Sequence, residues 1–477
     1  MAKTLDVDYL IIGAGAMSLA FADQLLQDTE YTIAIVDRRA APGGHWNDAY
    51  PFVKLHQPAS MYGVNSLTLG NEQIDTSGLN QGMQELATGA EVLGYFSRVM
   101  NEVLLPSGRV QYFPMSNYRG GEVYSSLLSG ESTRVNVRRK TVDGTFFQTS
   151  VPSTHKRPFK HAPGLDVISP NALAQLWRRP GLTAPHYTVL GGGKTAMDVI
   201  IWLIEAGVDT DIISWVMPRD SWLLNRAYNQ PCSVAFDKTM GGVLNQMDAI
   251  AVSESVDELF DTLEERQQML RVDPRVRPEM YHCAMASERE LAVLRRVKHI
   301  VRKGHVNRIE ARGLLMERGT EPMPPQTLFV DCTASAWTSR TPRAVFKDDM
   351  ITLQMIRSCQ PCFSAAVIAA IEAGVSDQET QNAMSNVVPL PDTPLDLLDA
   401  TLFSLMNQHE WGQDRALNAK IHNMRLNCFR DMLSEAQLSS PENVALLNRL
   451  RDVTPPAIDN IRHLKQRMAA EMMETQD

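Results

Sequence analysis

The sequence predicts an α/β protein built from two doubly wound, parallel-sheet domains with a helical C-terminal extension. Three observations predict it. The stretch Tyr9 to Leu26 reads as strand, Gly-x-Gly-x-x-Ser turn and helix; Tyr187 to Ala206 repeats that design with Gly-x-Gly-x-x-Ala; and from 392 onward apolar residues recur at helical spacing.

Each part of the opening stretch has a physical task. Gly13 allows the tight turn from strand to helix, Gly15 lets the backbone approach a pyrophosphate, and Ser18 is small enough for helix and strand to pack. The helix start offers free N–H groups and partial positive charge to phosphates. A second apolar run, Thr32 to Val36, closes on Asp37, 22 residues after Gly15, where a carboxylate can accept ribose hydroxyls. These parts suit a Rossmann-like dinucleotide site.

Bulk properties narrow the class. At 477 residues the chain is too long for one core, so two to three domains are expected. A hydrophobic content of 44% and a charged content of 21% are ordinary for a globular protein, and the net charge of −9 argues against nucleic acid as a main partner. No apolar run is long enough for a membrane span, and the N-terminus enters the first strand without a signal-peptide pattern, so a cytoplasmic location is expected. Six scattered cysteines suit a reduced compartment better than a disulfide framework.

After Asp37 come Arg38 and Arg39, within reach of an adenosine or phosphate, and then Pro42-Gly43-Gly44-His45-Trp46. The two glycines let backbone lie flat against a ligand, and Trp46 offers a ring beside it. The run Val53 to Tyr62, with His56 and Gln57, reads as a loop under the ligand's reactive ring. Residues 90 to 100 read as a helix, and residues 109 to 151 as a meander of short strands: Val110–Phe113, Gly121–Tyr124, Thr133–Val137, Lys140–Val142 and Gly144–Phe147. His155, Arg157 and His161 lack the companions of a metal site and read as structural.

The second motif, Gly191-x-Gly193-x-x-Ala196, contains Lys194 and Thr195, and its spacing is not that of a nucleotide-triphosphate loop. The strand Asp211 to Val216 follows it. No acid stands at the end of that strand, and Arg219 stands just beyond. A 2′-phosphate repels a carboxylate and pairs with a guanidinium, so this site reads as one for NADPH. Two dinucleotide motifs 178 residues apart suggest a flavin and a nicotinamide, between which hydride passes.

Residues 221 to 300 read as a helical insertion, with Ser287 and Glu290 at capping-box spacing before an apolar run. Thr327 to Val330, closed by Asp331, reads as the return of the chain into the first domain's sheet, which makes Asp331 a cofactor-side residue. A further strand runs into a helix beginning near Phe363 and Ser364, its positive end aimed at the flavin. Cys359 and Cys362 read as two buried or loop thiols rather than a redox pair. Pro455-Pro456 is expected to break the last helical segments; the tail is suited to capping the site, forming a homodimer face or packing on the surface.

Together the first glycine motif, Gly43-Gly44-His45-Trp46, the Tyr50-Pro51 loop, the second glycine motif and Arg219 resemble the class B flavoprotein monooxygenases: flavin-containing, Baeyer–Villiger and N-hydroxylating. The resemblance covers residues 6 to 65 and 185 to 220 well, and 325 to 375 loosely. It implies bound FAD, NADPH as reductant, and a flavin C4a-hydroperoxide that places one atom of O2 on a small organic substrate. On that basis Gly13, Gly15, Ser18 and Asp37 hold FAD, Gly43, Gly44 and Trp46 line it, and Gly191, Gly193, Ala196 and Arg219 hold NADPH. His56 and Gln57 are the candidates for stabilising the oxygen intermediate. The family's Phe-x-Gly-x-x-x-His fingerprint is absent, and His56-Gln57-Pro58 stands where many relatives carry an Asn. A flavoprotein that passes electrons to a quinone, disulfide or protein is the alternative, and a non-catalytic binding flavoprotein is a third class. The expected domains are 1–165 and 321–385 for FAD, 166–320 for NAD(P)H with the insertion at about 221–300, and a helical region 386–477.

Overall fold

A computed structural model describes residues 3–179, 184–335 and 341–474. Two parallel sheets organise it. The opening strand Lys3–Ile12 lies between Ile33–Val36 on one side and Ser132–Asp143 on the other, both parallel to it. Val110–Phe113 extends the sheet beyond Ile33–Val36, and Met350–Thr352 extends it beyond Ser132–Asp143. Tyr9, Leu10 and Ile11 are completely buried, as an apolar strand covered on both faces must be. The helix Ala16–Asp28 covers one face and packs along the more apolar helix Pro361–Gly374.

The second sheet has the order His299–Val301, Ile213–Val216, His186–Leu190, Thr327–Asp331, Val167–Ile168, all parallel. The helix Lys194–Glu205 buries Ala196, Val199, Ile200 and Leu203 in the core beside it.

Strand membership corrects the sequence reading in three places. Thr327–Asp331 enters the second sheet, with Leu328 opposite Tyr187 and Asp331 opposite Leu190; the chain returns to the first sheet at Met350–Thr352. An all-apolar run fits any doubly covered strand, so the pattern identifies the strand without naming its sheet. Val110–Phe113 joins the parallel sheet instead of the meander, which is formed by Ser116–Gly120, Val123–Ser126 and Ser132–Asp143. Gly144–Phe147 is a turn: Asp143 accepts from Thr145 N–H at 2.8 Å, an acid-headed turn that outcompetes extension.

The insertion holds a three-stranded sheet, Met269–Leu270, Ser221–Asn225 and Met280–Ala286, with the helices Cys232–Val252 and Val256–Glu265. The capping box at Ser287 and Glu290 starts the helix Glu288–Leu294. The C-terminal helix Pro441–Glu474 lies along Cys232–Val252, so the tail packs on the insertion. This helix runs through Pro455 and Pro456, contrary to the expected break. Both prolines are exposed, so the carbonyls they leave unbonded reach water, while Ala457, Ile461 and Leu464 anchor the helix in the core.

Cys359 is joined to Cys283, 76 residues away, with Cα atoms 6.4 Å apart. This corrects the reading of Cys359 as a free thiol. Cys362, three residues on, is free and buried.

Candidate functional site

Both glycine loops lie at the C-terminal ends of the central strands of their sheets, where open α/β folds receive ligands. In the first loop, Gly13 has φ +93°, and a Cβ there would stand 3.0 Å from Thr145 Cγ2. Gly15 heads the helix Ala16–Asp28, whose first turn has no side-chain cap. Ser18 is fully buried with no hydrogen-bond partner for its hydroxyl, and a side chain at Gly144 would collide with it, as the packing role of the third motif position requires. Gly43 N–H donates to Ala14 O at 2.8 Å, and a Cβ on Gly44 would stand 2.9 Å from Gly15 Cα. The Gly43-Gly44 segment therefore lies directly against the loop, as its composition predicts.

Asp37 stands at the mouth of this loop. One carboxylate oxygen accepts from Ala14 N–H and the other from Arg39 N–H at 2.6 Å. Arg38 is exposed beside it, whereas Arg39 is paired with Asp48 at 2.7 Å. Trp46 is packed into the first-domain core, where its indole N–H donates to Tyr62 Oη at 2.8 Å. It is a wall of the core more than a free ring.

The second loop matches the first in shape. Gly191 has φ +125°, and a Cβ there would stand 2.6 Å from Cys332 O. Gly193 heads the helix Lys194–Glu205, again without a side-chain cap, and a Cβ at Gly193 would meet no atom within 4 Å. Two uncapped helix starts, each behind glycines that leave backbone N–H groups approachable, fit the phosphates of two dinucleotides.

The charge at the following strand end differs. Beyond Ile213–Val216, Arg219 is exposed. The adjacent Asp220 is buried and taken up by Arg302, whose guanidinium donates to both its oxygens at 2.7 and 3.0 Å. Asp220 is thus neutralised, and the Arg219 cation faces out.

The loop between the two motifs is fastened to the second domain. Tyr50 Oη donates to Asp198 Oδ2 at 2.7 Å, and Asp198 also pairs with Lys194 one helical turn away. Burial, followed by the Asp198 charge, pushes the Tyr50 hydroxyl's pKa well up, so it stays protonated. Phe52 stacks on Trp202 with ring centroids 4.7 Å apart, and Asn171 donates to the carbonyls of Asp48 and Ala49. Thr195 lies beside Tyr50.

His56 lies on this loop at the domain seam. Its Nδ1 accepts from Met285 N–H at 3.0 Å, and its carbonyl accepts from Arg226 Nε at 2.8 Å. Desolvation, with the nearby charges of Lys194 and Arg226, pushes its pKa down to about 3. A neutral ring whose Nδ1 is an acceptor carries its proton on Nε2. His56 is therefore a fixed Nε2–H donor. Arg226 is completely buried, pairs with Glu290 at 2.7 Å and donates to Asn80 Oδ1 at 3.1 Å. Burial would raise the Glu290 pKa; Arg226 and Lys194 outweigh it and hold the carboxyl below its usual range. Gln57 is buried, with its amide 3.5 Å from Met61 O.

Three predicted site residues have side chains engaged by the protein itself. Asp331, on the second sheet, is occupied by His155 Nε2 at 3.1 Å, Arg157 Nε at 3.2 Å and Thr333 Oγ1 at 2.6 Å; it ties the 155–157 loop down. Phe363 points into the core against Trp411. Ser364 Oγ accepts from the N–H groups of Ile356 and Arg357, both at 3.2 Å. The start of the helix Pro361–Gly374 nevertheless lies close to Gly63, whose backbone bonds Cys362.

The site also contains residues that sequence reasoning missed. Tyr50, Asp198, Arg226 and Glu290 build the seam. Arg425, from the tail, donates to the carbonyls of Ser60, Tyr62 and Val64 and so fixes the strap that follows His56. The sequence did offer signals: the Tyr50-Pro51 loop, the Ser287–Glu290 spacing, and Arg226, a cation soon after the apolar run Trp222-Leu223-Leu224.

No family model matches the chain. It is 44% identical over 435 residues to Uncharacterized protein Rv2000 of Mycobacterium tuberculosis (strain H37Rv), covering 91% of this chain and 79% of that protein. The same values hold for Uncharacterized protein Mb2023 of Mycobacterium bovis. The chain belongs to the family of these mycobacterial proteins. Among solved structures, it is similar to a flavin-containing monooxygenase from Stenotrophomonas maltophilia (12% identity, 87% of this chain and 99% of that chain, TM-score 0.40). It is also similar to an oxidized steroid monooxygenase bound to NADP (13%, 77% and 86%, 0.46) and to a bacillithiol disulfide reductase from Staphylococcus aureus (9%, 78% and 100%, 0.43).

Proposed function

We propose that this member of the mycobacterial family is an FAD-dependent oxidoreductase reduced by NADPH, and that it transfers one atom of O2 to a small organic substrate. The observation that carries this reading is the pair of uncapped glycine-loop helix starts on separate parallel sheets, followed by an acid at one strand end and a free guanidinium at the other. FAD would lie against Gly13, Gly15, Asp37, Arg38, Gly43 and Gly44, with Ser18 permitting the close packing beneath. NADPH would lie against Gly191, Gly193, Lys194, Thr195 and Arg219, with Ala196 in the packing position. The nicotinamide domain includes the strand Thr327–Asp331.

A flavin bound there would supply the redox chemistry that links a nicotinamide to oxygen. The chain's own residues do the rest. The two loops orient the dinucleotides through backbone N–H groups. Tyr50, Asp198 and Lys194 hold the loops together across the seam. His56 offers its Nε2–H to a developing negative charge on oxygen, and its low pKa keeps it a neutral donor. Gln57 stands next to it as the second hydrogen-bonding group.

Rapid-mixing absorbance tests the reading. Protein reduced anaerobically with NADPH is mixed with oxygenated buffer. The proposal expects an oxygen-dependent transient before oxidised flavin returns, and its lifetime should shorten in Gln57→Ala. Direct return to oxidised flavin with release of peroxide contradicts the oxygen-transfer step. Fast reduction with sluggish oxygen reaction supports the second reading, electron transfer to a disulfide or quinone, which the Cys283–Cys359 pair on the strand holding His56 favours.

A further inference from the structure

One covalent bond crosses the seam between the insertion and the first domain, and its position is informative. The strand Met280–Ala286 runs along that seam and beside the segment leading into the C-terminal helices. Tyr281 N–H donates to Asp392 O at 3.0 Å, and His282 Nε2 lies 2.8 Å from Asp392 Oδ1. Cys283 is bonded to Cys359, Met285 N–H donates to His56 Nδ1, and Ser287 Oγ donates to Leu79 O at 2.7 Å. Every contact in this row except one is a hydrogen bond that breaks and reforms readily. The exception, Cys283–Cys359, sits two residues from the contact that fixes the His56 ring.

The two cysteines differ in burial. Cys283 is 3% exposed, whereas Cys359 is partly exposed in the turn just before the helix Pro361–Gly374. That turn belongs to the first domain: Ser364 Oγ holds the N–H groups of Ile356 and Arg357, and Gln360 N–H donates to Arg357 O at 3.3 Å. The bond therefore joins a strand that holds His56 to a turn anchored on the first domain's helix, and Cys359 is the less buried of its two residues, the side from which a dissolved thiol or oxidant would approach.

We propose that Cys283 and Cys359 are a reversible oxidation site whose disulfide locks the seam and whose reduction frees it, so that the redox state of the surroundings sets how readily the second domain moves against the first. In the forward direction hydrogen peroxide takes two electrons from the pair: two thiols become one disulfide, and one peroxide becomes two waters. In the reverse direction a thiolate attacks Cys359 Sγ, forms a mixed disulfide and releases Cys283 as thiolate; a second thiol then frees Cys359, leaving the reductant oxidised to its own disulfide. Cys232, Cys332, Cys362 and Cys428 take no part; all four are buried, and burial raises each of their thiol pKa values. The effect on catalysis rests on the FAD and NADPH reading, but the lock itself does not.

The test uses the full-length protein in oxidised and dithiothreitol-treated forms, with Cys359→Ser as the permanently open variant. Differential alkylation with peptide mapping should recover the Cys283 and Cys359 peptides cross-linked before treatment and both alkylated after it. Amide hydrogen exchange along 280–287 and 354–360 should accelerate on reduction and match that of Cys359→Ser. The rate of flavin reduction by NADPH should rise about tenfold, the effect of a modest shift toward an open population. Free, equally alkylated thiols in protein kept in peroxide, or exchange unchanged by reduction, overturn the lock. If exchange responds while NADPH reduces no flavin, the lock stands and the cofactor reading fails.

Discussion

The two glycine loops are near copies in backbone and opposites in charge, and that contrast separates what binds any dinucleotide from what chooses one. Both have a left-handed first glycine, a helix start without a side-chain cap, and a small third residue packed in the core. Shape and backbone N–H groups therefore do not distinguish them. The first loop has Asp37 at the strand end, accepting from the loop's Ala14 N–H and from Arg39 N–H. The second has Arg219 exposed there, with Asp220 turned away into an ion pair with Arg302. A carboxylate suits ribose hydroxyls and excludes a 2′-phosphate; a guanidinium does the reverse.

The change expected to break the comparison most severely is Gly44→Ala. Its φ of +57° and the 2.9 Å approach of a Cβ to backbone at Gly15 leave no flexible atom to yield. Purified Gly44→Ala should lose most of its FAD while nucleotide binding at the second loop, read by titration calorimetry with NADP, stays intact. A smaller but more selective effect is expected from Arg219→Gln: KM for NADPH rises ten- to hundredfold, about 1.5–3 kcal/mol for one charge-assisted phosphate contact, with little change for NADH. If NADPH and NADH suffer equally, Arg219 does not read the 2′-phosphate. Asp37→Asn should weaken FAD affinity by about 1–2 kcal/mol, because an amide replaces one acceptor oxygen with a donor facing another N–H; fluorescence of released flavin measures this.

The smallest effect concerns pH. His56 is neutral in the fold, with a pKa near 3, whereas in the unfolded chain it titrates near its usual value of about 6.5. Between those values the unfolded state binds the extra proton, so folding stability falls as pH drops from about 6.5 toward 3. His56→Gln should flatten part of that slope in denaturant melts taken from pH 7 to 5. An unchanged slope would mean that His56 protonates in the fold.

How much of this was readable before the fold follows a physical rule. The first loop, its helix and Asp37 lie within 37 residues, and their information is local: periodicity, turn glycines and a charge at a strand end. The second loop is legible for the same reason, and so is the Ser287–Glu290 capping box. What depends on chain segments meeting at long range was not legible. Thr327–Asp331 looked like a buried strand but did not disclose its sheet, so Asp331 was placed on the wrong domain. Cys359 has a near neighbour in sequence, Cys362, but its bonded partner, Cys283, lies 76 residues away along the chain. Arg226 and Glu290 are 64 residues apart, and Arg425 meets its three carbonyls across more than 360 residues. Pro455-Pro456 misled because a proline's cost depends on whether the carbonyl it strands faces water.

The central claim is that the two loops hold different dinucleotides, and the most direct measurement is to identify what each one takes. The protein is purified, denatured, and its released cofactor identified by absorbance and mass; the native protein is then mixed anaerobically with NADPH or NADH, and flavin bleaching is followed. The account predicts FAD in the denatured supernatant and bleaching that is faster with NADPH than with NADH, with the preference lost in Arg219→Gln. Absence of flavin after the apoprotein is incubated with FAD, or equal bleaching by both nicotinamides in the unaltered protein, would contradict it.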